Sequence, residues 1–270
     1  MTHPADELER AALEDLHAAA PPELCRSLGI GGRNIGSAFV SIAAALPASA
    51  IVINRAIGVG LRARESEATI GEMVHAYERA GVARYFVQVH PEARPPQIAD
   101  WLLAQGLEKA RGWQKFVRGR ETVSEARTSL AIREIGAADA AASAAILCDA
   151  FDLGDQARPW FRLLAERERW HVFMSYDGAE PAGTGALFID GDAGWLDFGA
   201  TAPRFRRRGS QSALLGHRVR YALEHGCRQL YTCTGEDVPG DPQHSYSNIL
   251  RVGFREDELR HNYAPPRQPA

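Results

Sequence analysis

The sequence predicts an α/β (α+β) protein with mixed, mostly antiparallel sheets flanked by helices, built from two halves of similar order. Three observations carry that expectation. From Ala50 onward, strand-type and helix-type segments alternate as strand, helix, strand, helix, strand. The same order returns in the last third of the chain, which argues for an internal duplication. Between the two lie strand segments separated by "YDGAEP" and "DGDAG", turn compositions that spell an antiparallel meander. With 270 residues and 45% of them hydrophobic, the chain is long enough for one large domain or two small ones.

In the first half, Leu8, Ala12, Leu16 and Ala19 share one face of a helix that "APPEL" interrupts. "GIGGRNIGSAFVSIAAA" has the glycines of a dinucleotide loop, but no strand precedes them, and it reads as a loop leading into a strand or short helix. "AIVINRAIGVG" is a strand. "EATIGEMVHAYERAG" is a helix, with Ile70, Met73, Val74 and Tyr77 at helical spacing and Gly81 at its end. "VARYFVQVHP" is a strand, "PPQIADWLLAQG" a helix with proline where a first turn tolerates it, and "LEKARGWQKFVRG" a strand. The polar stretch "RETVSEARTS" reads as a linker, dividing the chain into domains 1–124 and 125–270.

The second half opens with a strand and a helix in "LAIREIGAADAAASAAILCDAFD", then a helix in "ARPWFRLLAERERW". The meander follows, then a long helix from Gly209 to His225, the strand "CRQLYTCTG", the short helix "HSYSNILRVG" and the strand "FREDELRHNYAP". The stretch most open to chemistry is "TAPRFRRRGSQSALL", between the end of a strand and that long helix. A glycine there lets the backbone come close to a ligand, and a first helical turn offers unpaired N–H groups and partial positive charge. Arg206, Arg207 and Arg208 add charge-assisted donors, so the stretch suits a pyrophosphate; a solvated basic loop is the plainer alternative.

This stretch resembles the GNAT superfamily of acyl-CoA-dependent N-acyltransferases, whose signature is (Q/R)xxGx(G/A). Arg206 matches its first position and Gly209 its central glycine, while Gln211 departs from the usual Gly or Ala. The strand "WLDFGAT", the proline turn, the "LL" of the helix and the downstream "SNILRVGF" also fit, so the resemblance spans residues 130–263. It implies acetyl-CoA as acyl donor, with the backbone of Phe198, Gly199, Ala200 and Thr201 along the pantetheine arm. It places the amides from Arg206 through Arg207, Arg208, Gly209 and Ser210 to Gln211 around the pyrophosphate, and Asn248 beside the arm. On local grounds Asn248 reads equally well as a helix cap.

Many relatives place a proton-donating tyrosine where this chain has Ile249; Tyr246 is the substitute nearest to hand, and it suits packing as well. Asp197 and Glu236 are the candidate carboxylates for deprotonating an amine, although each also suits a surface charge. His171, His217 and His244 stand alone, and "GSQSA" is not a nucleophile elbow, which favours direct transfer to the amine. The first half keeps Gly60 and Arg62 in its equivalent loop, but Glu65 and Glu67 put negative charge at the anion position, as in a degenerate copy.

The expected function is therefore an N-acetyltransferase acting on a small-molecule amine or a peptide, the competing reading being an acyl-CoA-binding or partner-binding module without turnover. A net charge of -3 argues against nucleic acid as partner. No apolar run is long enough for a membrane span, and the acidic N-terminus lacks the basic start and apolar core of a secretory signal, so the expected location is the cytoplasm. Cys25, Cys148, Cys227 and Cys233 form no metal or disulfide pattern, and no metal is expected. A homodimer is compatible with the sequence.

Overall fold

The structure, a computed structural model, describes residues 3–123, 126–241 and 243–267. It is mixed α/β, with mostly antiparallel strands and flanking helices, and falls into two compact units that interleave along the chain. Met1–Trp113 and Glu258–Ala270 form the first, Gln114–Asp257 the second. The expected boundary between 124 and 125 lies at residues outside the described ones. The division between the units falls inside strands β5 (Glu108–Arg118) and β11 (Arg255–Ala264). Periodicity identified both as strands and said nothing of their partners.

The first unit begins with helices α1 (Pro4–Ala19) and α2 (Pro22–Leu28). The glycine-rich stretch after them is a hairpin of β1 (Ile30–Ile35) and β2 (Ala38–Ala43), where only a loop and one further element were expected. Gly36, at φ +56°, makes its turn. β2 pairs antiparallel with β3 (Arg55–Val59), which pairs parallel with β4 (Phe86–Val89), and β4 takes residues 261–263 of β11 antiparallel. Helix α3 (Glu67–Ala80) starts at Ser66, whose hydroxyl accepts from Thr69 N, and stops at Gly81 in the left-handed region. It buries Ile70, Met73, Val74 and Tyr77, as the spacing predicted. Helix α4 (Ile98–Ala104) starts after Gln97, so Pro95 and Pro96 lie ahead of the helix and outside its first turn.

The second unit has strand order β5-β10-β9-β8-β7-β6, comprising β6 (Ala131–Ile135), β7 (Trp170–Asp177), β8 (Glu180–Asp190), β9 (Ala193–Thr201) and β10 (Gln229–Gly235). The meander is present, with β6, β7, β8 and β9 each antiparallel to the next. Helix α5 (Ala140–Ala150) precedes α6 (Arg158–Arg162), a single short helix flanked by 3-10 turns where a longer one was expected. Helix α7 (Ser210–Glu224) follows β9, and α8 (His244–Arg251) follows β10. Leu214, Leu215 and Val219 of α7 pack with Phe173, Leu187, Leu196 and Leu230 of the sheet. Each such aliphatic side chain contributes about 1.5–3 kcal/mol on full burial. Two pairings fix the site. The parallel β9–β10 ladder ends at Leu196 and Thr232, and both strands run on past it. The β8–β9 register shifts between Thr184 and Ala186, and there Phe198 adopts φ +50°.

Candidate functional site

A cleft of about 970 Å³ opens in the second unit beside the N-terminus of α7. It is lined by Gly199–Ala200–Thr201 at the end of β9, the loop of Pro203 to Gly209, the first turn of α7 and one side of α8. Its charged lining is Arg206, Arg207 and Arg251, with His244 at the start of α8, and no carboxylate is among the described residues that line it. On a chain of net charge -3, that imbalance makes the cleft a place for an anion. The loop is bent to expose its backbone. Arg207 sits at φ +63°, uncommon for a residue with a side chain, and Gly209, the N-cap of α7, at φ +82°.

The structure divides the arginines of the loop before α7. Arg206 and Arg207 line the cleft. Arg208 instead turns to Asp177, donating through Nη1 and Nη2 at 2.7 and 3.0 Å, and this bidentate pair holds the Asp177 carboxyl below its usual range. Arg204 pairs with Glu180. Gly209 is needed for a reason beyond ligand approach. A Cβ there would lie 2.7 Å from the Arg127 carbonyl oxygen and 3.2 Å from Thr128 Cβ, so a side chain at 209 would meet the neighbouring 127–128 segment.

Gln211 is accounted for by α8. Its Nε2 donates to Ser245 Oγ at 2.9 Å, and its Oε1 accepts from Asn248 Nδ2 at 2.9 Å. Ser212 Oγ and Arg251 Nη1 both donate to Asn248 Oδ1, at 3.0 and 2.6 Å. The long side chain is thus turned along the cleft wall and tied to α8. Asn248 lies inside α8, whose N-cap is Gln243, so its amide is a wall group and not a helix cap. Ser210 points the other way; it is buried, and its Oγ is 2.8 Å from Ser175 Oγ on β7, which ties the first turn of α7 to the sheet.

The remaining candidates lie outside the cleft lining. The ring of Phe198 is buried against Phe161, Phe151 and Trp170, so the lining begins one residue later, at Gly199. Asp197 is already engaged, accepting from Trp195 Nε1 at 2.9 Å and from Phe198 N at 2.8 Å. The Tyr246 hydroxyl donates to Glu256 at 2.5 Å, and its ring packs edge-on against Phe116. Desolvation, followed by this carboxylate, pushes its pKa well up. Glu236 is half-buried on the segment just after β10, beyond the last β9–β10 pair. His171 and His217 face other surroundings, the first bonded to Glu134 and Tyr221, the second edge-on to Phe173. Ser245, Arg251 and His244 belong to the cleft, but a mostly exposed, short α8 gave no sign of which side it turns inward.

In the first unit, the loop that contains Gly60 and Glu65 is tied by internal hydrogen bonds. The buried Glu65 carboxylate accepts from Ser37 N at 2.8 Å, from the Ser37 hydroxyl and from Gly60 N at 3.3 Å. Arg62 turns outward to Glu7. One group of potential metal donors, His3, His90 and Glu92, lies within 4.8 Å in this unit, but Glu92 N donates to His90 Nδ1 at 2.9 Å and so uses that lone pair.

A strand ladder that ends early, a bulged strand beside it and a basic helix mouth form one arrangement, and residues 143–240 match the acetyltransferase (GNAT) family model. This segment is similar to the GNAT acetyltransferases. Solved structures extend the likeness of fold to nearly the whole chain. A GCN5-related N-acetyltransferase from Kribbella flavida is 16% identical with a TM-score of 0.67, over 99% of this chain and 98% of that one. A GCN5-related N-acetyltransferase from Sphaerobacter thermophilus is 15% identical with a TM-score of 0.61, over 97% and 93%. A tandem GNAT protein from the clavulanic acid biosynthesis pathway is 16% identical with a TM-score of 0.58, over 98% and 96%. Among curated proteins none matches the sequence. No helix among the described residues is long and apolar enough to cross a membrane.

Proposed function

We propose that the second unit is a GNAT-type N-acetyltransferase that holds acetyl-CoA in the cleft and passes the acetyl group directly to an amine on a small molecule or peptide. The observation that carries this reading is the cleft itself, with three arginines, a left-handed Gly209 at a helix mouth and no lining carboxylate among the described residues. First-turn N–H groups of α7, with Arg206 and Arg207, would hold the diphosphate. The backbone of Gly199–Thr201, beyond the end of the β9–β10 ladder, would run beside the arm. The donor supplies its acyl group as a thioester. Transfer forms a C–N bond and breaks the C–S bond, the amine giving up a proton and the sulfur taking one.

Glu236 is the carboxylate proposed to accept the amine proton, directly or through water, because it lies beyond the last β9–β10 pair. Asp197 is not assigned that role, since its oxygens already hold Trp195 and Phe198. Tyr246 is not assigned the acid's role, since its proton is held by Glu256. Glu65, in the anion position of the first unit, supports assigning the donor to the second unit alone. Calorimetric titration with CoA, followed by an assay of acetyl-CoA consumption across a panel of amines, tests the proposal. Binding with turnover is expected. Tight binding without turnover on any amine would favour a binding module, and no binding would refute the reading.

A further inference from the structure

Arg218 lies on α7 with its side chain fully buried, only 2% of the residue being accessible. Its partners are carbonyl oxygens: Nη1 donates to Ala186 O at 2.8 Å and to Asp197 O at 2.9 Å, and Nε to Leu214 O at 3.2 Å. Buried guanidinium groups ordinarily face a carboxylate or phosphate. Here the two carbonyls held by Nη1 belong to residues that face each other across β8 and β9, at the place where the register shifts. The strands have made room for it. A Cβ on Gly185 would lie 2.7 Å from Arg218 Cζ, and one on Gly199 would lie 3.4 Å from Nη2.

Asp197 completes the arrangement from the other side. The carbonyl of Asp197 and the N–H of Phe198 belong to one peptide group. Arg218 takes the carbonyl, and the Asp197 side chain takes the N–H at 2.8 Å, its own position fixed by Trp195 Nε1. A peptide held at both its polar ends cannot rotate, and this one precedes Phe198, whose φ of +50° turns the strand toward the cleft-lining Gly199–Ala200–Thr201.

We infer that Arg218 and Asp197 clamp the Asp197–Phe198 peptide and so set the backbone that the cleft presents at residues 199–201, which makes both of them positioning residues for acyl-CoA. The second half of this inference rests on the proposed function, while the clamp itself does not. The guanidinium keeps its charge at neutral pH, although burial pushes its pKa down to about 10. A hydrocarbon of similar length cannot replace it, because two carbonyls would be left unsatisfied.

Amide hydrogen exchange resolved at single residues, together with CoA titration, tests this on the full chain in wild type, Asp197→Ala, Arg218→Lys and Arg218→Met. In Asp197→Ala the Phe198 amide should exchange at least about tenfold faster, the effect of losing one hydrogen bond, with α7 and β7 amides unchanged. The CoA dissociation constant should rise by a similar factor of about ten. Arg218→Lys, able to reach one carbonyl, should give a smaller change than Arg218→Met. If Arg218→Met does not fold, Asp197→Ala and Arg218→Lys decide. Unchanged Phe198 exchange in Asp197→Ala overturns the clamp. Faster exchange with undiminished CoA affinity overturns the positioning role. A wild type that binds no CoA while Phe198 still responds overturns the cofactor reading and leaves the clamp standing.

Discussion

Replacing Gly209 by alanine separates two reasons for having a glycine at the mouth of α7. The residue sits at φ +82°, where an L side chain is strained by about 1–2 kcal/mol. The added methyl would also lie 2.7 Å from the Arg127 carbonyl oxygen. That atom is backbone, so relief requires the 127–128 segment or the helix mouth to move, and overpacking of this kind costs about 1–3 kcal/mol. Together the two effects give a loss of about 2–5 kcal/mol, or roughly 5–15 °C in melting midpoint for a chain of this size. Gly191 supplies the control, since it sits at φ +58° with no atom within 4 Å of its would-be Cβ. Gly191→Ala should show the backbone strain alone, about 1–2 kcal/mol. Calorimetric melting of both variants is the assay. If Gly209→Ala melts no lower than Gly191→Ala, the contact with Arg127 is not what requires the glycine, and the reasoning fails. CoA affinity should fall only in Gly209→Ala, because only there is the first turn of α7 displaced.

Arg207→Ala should weaken CoA binding about tenfold and make it less sensitive to salt, measured by titration at two ionic strengths. Gln211→Ala should cost about 1–2 kcal/mol in chemical denaturation by cutting both bonds to α8, and should leave CoA affinity within a factor of about two, since the side chain points away from the helix mouth. Tyr246→Phe should retain activity within about threefold, because its hydroxyl is spent on Glu256; a loss of about a hundredfold in kcat would restore it as the acid. Burial depresses His17 and His90 from 6.5 to about 4, so the unfolded chain takes up their protons before the folded one does. Their contribution is fully present above pH 6.5 and is lost as pH falls toward 4. Denaturation midpoints measured across that range should fall, and a His17→Gln variant should show a shallower decline.

Much of the fold was legible because local chemistry and tertiary role agreed. Gly81 marks the end of α3 by a capping rule, and the "DG" turns mark the meander whichever strands lie beside it. The β1–β2 hairpin was hidden because four central β1 residues, Gly31 to Asn34, are exposed and show no alternation. In the cleft, Arg206, Arg207 and Gly209 were readable from strand, loop and helix order alone. The direction of Gln211 was not, since it depends on α8, more than thirty residues later. Arg218 gave no signal, because one arginine in a helix of ordinary polarity reads as a surface residue until the two glycines it displaces are seen around it. Asp197 stands out by its charge as a candidate base or a surface charge; in the structure that charge accepts from a backbone N–H.

The interleaving of the two units bears on how such a chain can be cut and inherited. A gene split at the linker would leave the second unit without its part of β5 and the first without the part of β11 that pairs with β4. Neither fragment would hold all of its unit's strands, so a deletion of one fragment also takes residues from the other unit. No single cut in the chain therefore gives a fragment that holds one whole unit alone, and the two are inherited together.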